Sequence, residues 1–160
     1  MNRKPEEKEL TERVLEINRV TRVVKGGKRM RFRALVVIGD GKGKIGWGMG
    51  KAADVSTAIA KASTSAKKRL IIIPVTHSTI PYPVKYAYKS AKIMLKPAAP
   101  GTGIIAGGAV RIILQLAGIK DAVAKMMGSQ DKISNTVATI EALNSLTSIK
   151  EIKRIRSLKE

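Results

Sequence analysis

A chain of 160 residues, 44% hydrophobic and without cysteine, is long enough for one core or two small ones but has no disulfide framework and no thiolate metal site. Its formal net charge of +19 and pI near 10.5 exceed what solubility requires, and point to a polyanionic partner that relieves the self-repulsion. No apolar run approaches the roughly 20 residues that cross a bilayer, and the opening MNRKPEEKEL lacks the apolar centre of a signal peptide, so a soluble cytoplasmic protein with no membrane partner is expected.

Residues 1–9 are expected to be a flexible N-terminus, with a short, frayed helix from Glu6 to Leu15. From Ile17 to Arg69 fourteen cations meet two acids, which places +12 of the +19 in a third of the chain. Ile17 to Val24, carrying Arg19 and Arg22, fits helix and strand by period; its β-branched residues and the Gly26-Gly27 turn favour a strand. Lys25-Gly26-Gly27-Lys28 forms the loop tip. Beyond it the residues alternate: Arg29, Arg31 and Arg33 share one face, Met30, Phe32 and Ala34 the other. After the Gly39-Asp-Gly-Lys-Gly43 turn, Ile45, Trp47 and Met49 point one way and Gly46, Gly48 and Gly50 the other. The pattern predicts a hairpin with an apolar inner face and an outer face of cations and bare backbone. Asp54 is positioned to cap a helix with Val55, Ala58, Ile59, Ala62 and Ala66 on one side, ending at Lys67-Lys68-Arg69. Residues 10–73 thus read as a three-stranded sheet backed by a helix.

The turn-rich stretch from Thr76 to Pro83 marks the domain boundary. Strands are predicted over Val84–Ser90 and Ile93–Lys96, with Lys85, Lys89, Lys92 and Lys96 at intervals along them. A helix from Ala109 to Ala117 is apolar nearly all round except at Arg111 and Gln115, and Gly118 suits the position after its end. A strand over Ile119–Met127 follows, then a helix capped by Ser134 or Asn135 and carrying Val137, Ile140, Leu143 and Leu146. Residues 74–147 form a small βαβα-type domain, and the whole chain is of the α+β class. Ser148 and Glu151 have capping-box spacing and open a basic helical tail over 148–160, with Ile149, Ile152, Ile155 and Leu158 on one side.

Few of the motifs support chemistry. Gly41, Gly43 and Gly46 match a dinucleotide fingerprint by spacing, but they open a strand, and no acid for the ribose lies between Asp54 and Asp121. Gly50-Lys51 is followed by Ala52, where a P-loop needs Ser or Thr. The glycines from Gly101 to Gly108 precede a helix, as in the phosphate loops of small-molecule kinases. Close packing at a turn or a protein partner is favoured there, because only Asp121, Asp131 and Glu141 are available as acids between residues 70 and 147. His77 is the sole histidine, so no catalytic residue, metal, cofactor or small-molecule substrate is expected. Aromatic content of 3% argues against base stacking. Phosphate and sugar contact is expected from Arg19, Arg22, Lys25, Gly26, Gly27, Lys28, Arg29, Arg31, Arg33, Lys42, Lys44 and Lys51.

The run Val24-Lys-Gly-Gly-Lys28, Phe32 and Ala34, then Gly39 through Val55, resembles the signature of the fifth protein of the bacterial small ribosomal subunit. Gly101-Thr-Gly-Ile-Ile-Ala-Gly-Gly-Ala-Val-Arg111 and Ala124-Lys-x-x-Gly-Ser129 agree, and the resemblance covers roughly residues 10 to 146. It implies a double-stranded-RNA-binding-like first domain and a second domain whose fold is shared with the kinases. It further implies a non-enzymatic structural role that supports decoding accuracy. The implied partners are small-subunit ribosomal RNA and the fourth and eighth small-subunit proteins, with messenger RNA close by where it enters the particle. On the same resemblance, Gly101, Gly103, Gly107, Gly108 and Arg111 face the fourth protein, and the loop Lys25–Lys28 approaches the spectinomycin site. A free-standing double-stranded-RNA-binding regulator is the alternative. Typical double-stranded-RNA binders place a Lys-Lys pair at the start of their last helix; here Lys67-Lys68 ends it, so contacts from that helix are not carried over.

Overall fold

A computed structural model describes residues 10–75, 78–147 and Arg154. The expectations for residues 1–9, for His77 and for the capping box at Ser148 and Glu151 lie outside the described residues, as does the tail helix apart from Arg154, which is helical. In chain order the elements are β1 Thr11–Val24, β2 Gly27–Gly39, β3 Lys44–Ala52, α1 Val55–Lys67, β4 Leu70–Ile72, β5 Val84–Tyr88, β6 Ala91–Pro97, β7 Ile104–Ile105, α2 Gly108–Leu116, β8 Ala122–Met126 and α3 Lys132–Asn144. They form two four-stranded sheets, ordered β1-β2-β3-β4 and β5-β6-β8-β7. All pairings are antiparallel except β7 with β8, which α2 connects.

Several expectations change. Residues 11–15 are not helical: β1 starts at Thr11 and pairs with β2 along its full length, with a bulge between Val14 and Glu16. A short segment with frayed helical propensity yields to a partner strand that satisfies every second backbone group. The first sheet has a fourth strand, because Leu70, Ile71 and Ile72 pair with Gly46, Ile45 and Lys44. Asp54 occupies the N-cap of α1, but its side chain makes no capping hydrogen bond. The cap of α3 is Asp131, whose carboxylate accepts from the Ser134 amide at 2.8 Å and the Ser134 hydroxyl at 2.6 Å. Ser134 and Asn135 are inside the helix.

The largest correction concerns the faces of the hairpin. Cross-strand partners project on the same side of a sheet, and Ala34, Val36 and Ile38 oppose Gly50, Gly48 and Gly46. The glycine row is therefore buried, not exposed backbone. It seats α1: a methyl group at Gly48 or Gly50 would strike the carbonyl oxygen of Ala62 or Ala58. Ala34, Val36, Ile38, Ala58, Ala62 and Ala66 form the core of this layer.

The opposite face, with Val37, Ile45 and Trp47, is the one that carries Arg33, and it packs into the second half of the chain. Val37 and Ile45 join Ile93, Leu95, Ile113, Leu114, Ile119, Ile140 and Leu143 in one apolar cluster. The run from Ala34 to Ile38 is buried throughout because the sheet is covered on both sides. The two halves also share backbone hydrogen bonds. The amides of Gly41 and Gly43 donate to the carbonyls of Leu116 and Ala117, each at 3.0 Å. Asp40 holds this loop by accepting from the amides of Lys42 at 2.8 Å and Lys44 at 2.9 Å.

Candidate nucleic-acid interface

Beyond the part of the sheet that α1 and the second half cover, β1 and β2 continue as a two-stranded arm. Every residue from 21 to 31 is exposed. A turn of two residues, Lys25 and Gly26, closes the arm between the partners Val24 and Gly27. Gly26 has a φ of +86, and a methyl group added to it would meet nothing within 4 Å, so its glycine is required by backbone conformation and not by crowding.

The register sorts the cations. Arg22 opposes Arg29, Val20 opposes Arg31, and Asn18, Arg33 and Lys51 lie side by side across three strands. Arg22, Arg29, Arg31, Arg33 and Lys51 therefore share one face. Arg19, opposite Phe32, and Lys28, opposite Val23, occupy the other. Like charges directly across a ladder repel, and no acid occurs from Ile17 to Gly39. The ion pairs of Lys67 with Glu12 at 3.8 Å and of Lys132 with Glu16 at 3.6 Å involve none of these cations. Val23 is 74% exposed and Met30 55%, an apolar content that a lone ribbon in water does not favour. The arm is a cationic ribbon suited to an anionic partner on both sides.

The remaining predicted residues are not all part of it. Arg33 is half-buried beside the start of α3, where the Asp131 carboxyl is held below its ordinary value of 3.8, first by its hydrogen bonds to Ser134 and more weakly by the Arg33 charge. Lys42 and Lys44 are exposed, but they sit at the far end of β2. At about 3.4 Å per residue, the 13 residues of β2 put them some 40 Å from the arm tip. Phe32 and Trp47 are half-buried, the latter with the Arg69 guanidinium 5.9 Å from its ring centroid.

The second predicted surface gathers at the N-terminal end of α2. Gly101 and Gly103 adopt φ of +88 and +74, Gly107 is the N-cap, and Gly108 and Arg111 lie on the helix, with Arg111 exposed. The Gly103 amide donates to the carboxylate of the buried Asp121 at 2.9 Å, which fixes the loop to the start of β8. A methyl group at Gly107 would collide with the Met126 side chain. Turn conformation accounts for Gly101 and Gly103 and packing against Met126 for Gly107, while a methyl group at Gly108 would meet nothing within 4 Å. Among the described residues no group of three or more His, Cys, Asp or Glu side chains is placed to hold a metal ion, and no helix is long and apolar enough to cross a membrane.

Sequence reasoning passed over the outer face of the second sheet. Lys85, Lys92, Lys96 and Lys125 are exposed there. The signal was the alternation of Lys85, Ala87 and Lys92, Met94, Lys96 along two strands, which assigns them to one side only once register is known.

Residues 10–74 match the family model described as "Ribosomal protein S5, N-terminal domain", and residues 86–156 match "Ribosomal protein S5, C-terminal domain". The chain is 51% identical over 140 residues to the small ribosomal subunit protein uS5 of Chloroflexus aurantiacus, covering 88% of this chain and 79% of the relative. It is 52% identical over 138 residues to the uS5c protein of Emiliania huxleyi, covering 86% and 87% respectively. Against the uS5 protein of Dehalococcoides mccartyi it is 52% identical over 141 residues, covering 88% and 82%.

Proposed function

Because the chain belongs to the ribosomal protein S5 family, we propose that it grips small-subunit ribosomal RNA through the β1–β2 arm and performs no reaction. Its role is that of a structural constituent of the small ribosomal subunit, working in the ribosome. The observation that carries the RNA reading is the arm itself: Arg22, Lys25, Lys28, Arg29 and Arg31 are exposed on a ribbon that contains no acid. Arginine forks and lysine point charges on such a ribbon match phosphate oxygens, and the lack of any aromatic residue from 21 to 31 favours backbone over base contact. Arg19, Gly26 and Gly27 belong to the same contact. Arg33 and Lys51 extend it toward α3, and Lys42 and Lys44 reach RNA from the opposite end of the sheet.

The loop from Gly101 to Gly108, with Arg111, serves as the surface for a neighbouring protein. The fourth small-subunit protein is its partner there, and the eighth is a second neighbour of the chain, with messenger RNA close by. The domains divide at the turn-rich segment after residue 73. Sedimentation of a cell lysate through a sucrose gradient tests the reading. The chain should travel with small subunits and whole ribosomes; a chain found mainly at the top of the gradient would instead be a free RNA-binding regulator.

A further inference from the structure

We propose that the uncovered face of the second sheet is a separate contact surface for RNA phosphates. The inference rests on the chain being an RNA binder but not on the arm. α3 packs against β5 and β6, and Tyr86, Tyr88, Ile93 and Leu95 turn toward that side. The opposite face has no described element over it. Lys85 opposes Met94 and Ala87 opposes Lys92, while Met94 opposes Lys125 and Lys96 opposes Val123. Lys85 with Lys92, and Lys96 with Lys125, are thus diagonal neighbours, roughly 7–8 Å apart at their origins, on either side of Met94. All four lysines are exposed. They lie within about one Debye length of their neighbours at physiological salt, so their potentials add.

Among the described residues nothing on this face offsets that charge. The acids of the second half that are described lie elsewhere: Asp121 is buried against the Gly103 amide, Asp131 caps α3, and Glu141 lies on α3, behind the sheet. A face of four lysines without an acid is complementary to a polyanion. A protein partner fits less well, because lysine is depleted in protein interfaces and the apolar strip between the lysines is only Met94, Val123 and Ala87, framed by Ile105 and Met127 at the edges. The two tyrosines of β5 point away, so the surface reads phosphate positions without stacking bases.

The test uses the full chain and a transcript of small-subunit ribosomal RNA, with affinity measured across a salt series. The variant Lys85→Gln, Lys92→Gln, Lys96→Gln, Lys125→Gln should bind more weakly, with the slope of log affinity against log salt reduced by about three to four. Far-ultraviolet dichroism and the urea midpoint should stay as in the parent chain; if the fourfold variant does not fold, Lys92→Gln with Lys125→Gln should lower the slope by about two. An unchanged slope, while Arg29→Ala with Arg31→Ala still lowers it, would overturn this surface and leave the arm intact. Loss of a neighbouring protein from reconstituted subunits with RNA affinity unchanged would assign the face to protein and equally overturn the proposal.

Discussion

The Gly41 amide donates to the Leu116 carbonyl at 3.0 Å, so a loop between two strands of the first sheet closes the last turn of a helix in the second half. The final carbonyls of a helix have no partner of their own, and here Gly41 and Gly43 supply two of the missing donors. Gly118, immediately beyond, turns away with a φ of +80. The halves are joined by backbone as well as by the shared apolar cluster.

This joint makes Gly118 sensitive. A methyl group there would run into the Gly41 carbonyl oxygen, and the left-handed conformation is itself unfavourable for alanine. Gly118→Ala should lower stability by about 2–4 kcal/mol in urea unfolding, combining strain with overpacking. A loss below about 0.5 kcal/mol, within the range of ordinary surface substitutions, would show that the joint yields freely.

Gly48 and Gly26 should respond differently to the same substitution. A methyl group at Gly48 meets the Ala62 carbonyl oxygen and lies 2.5 Å from the Ala66 nitrogen, so α1 has to lift from the sheet. Gly48→Ala should cost roughly 3 kcal/mol, the upper end of overpacking effects. At Gly26 a methyl group meets nothing, and only the positive φ is unfavourable, so about 1 kcal/mol is expected. Equal losses in thermal or urea unfolding would mean that the glycine row is not the seat of α1.

Removing arm charge should alter binding without harming the fold. Arg29→Ala with Arg31→Ala should lower the salt slope for small-subunit ribosomal RNA by about two, one for each lost contact. Stability should hold or rise slightly, because Arg29 faces Arg22 directly across the ladder. A salt slope equal to that of the parent chain would turn this face of the arm away from RNA.

The cap of α3 gives a pH-dependent contribution whose sign is fixed. The Asp131 carboxyl is held below its ordinary 3.8 by the Ser134 hydrogen bonds, so the folded state favours its ionised form. That stabilisation is complete above the unfolded value and is lost as pH falls from near 3.8 through the lower folded value. Asp131→Ala should therefore cost about 1 kcal/mol at neutral pH, and the difference from the parent chain should shrink in acid. A gap of the same size at pH 2 and pH 7, by urea unfolding at each, would assign the effect to something other than the carboxylate.

Much of this is legible in the sequence because it depends on local periods. Arg29, Arg31 and Arg33 do share a face, Ala58, Ala62 and Ala66 do line one side of α1, and α2 does leave Arg111 and Gln115 exposed. Period alone also misleads. It separates Ile45, Trp47 and Met49 from the glycines between them, but not which of these two sets shares a side with Arg33. Only strand register decides that, and a shift of one residue inverts every assignment. Asp131 escapes notice as a cap because Ser134 and Asn135 are equally good capping residues by type, and only the backbone shows where the first turn starts.

Charge and periodicity are properties of neighbouring residues, so the order of amino acids alone dictates an acid-free, cation-rich hairpin, two alternating patterns and three helical stripes that must each bury a side. It does not dictate that the glycine row lies beneath a helix, that the loop at Gly41 closes α2, or that Lys42 and Lys44 stand at the opposite end of the sheet from the arm. Those outcomes emerge on folding, through contacts between segments distant along the chain, where backbone approach and strand register, and no local pattern, select the partner.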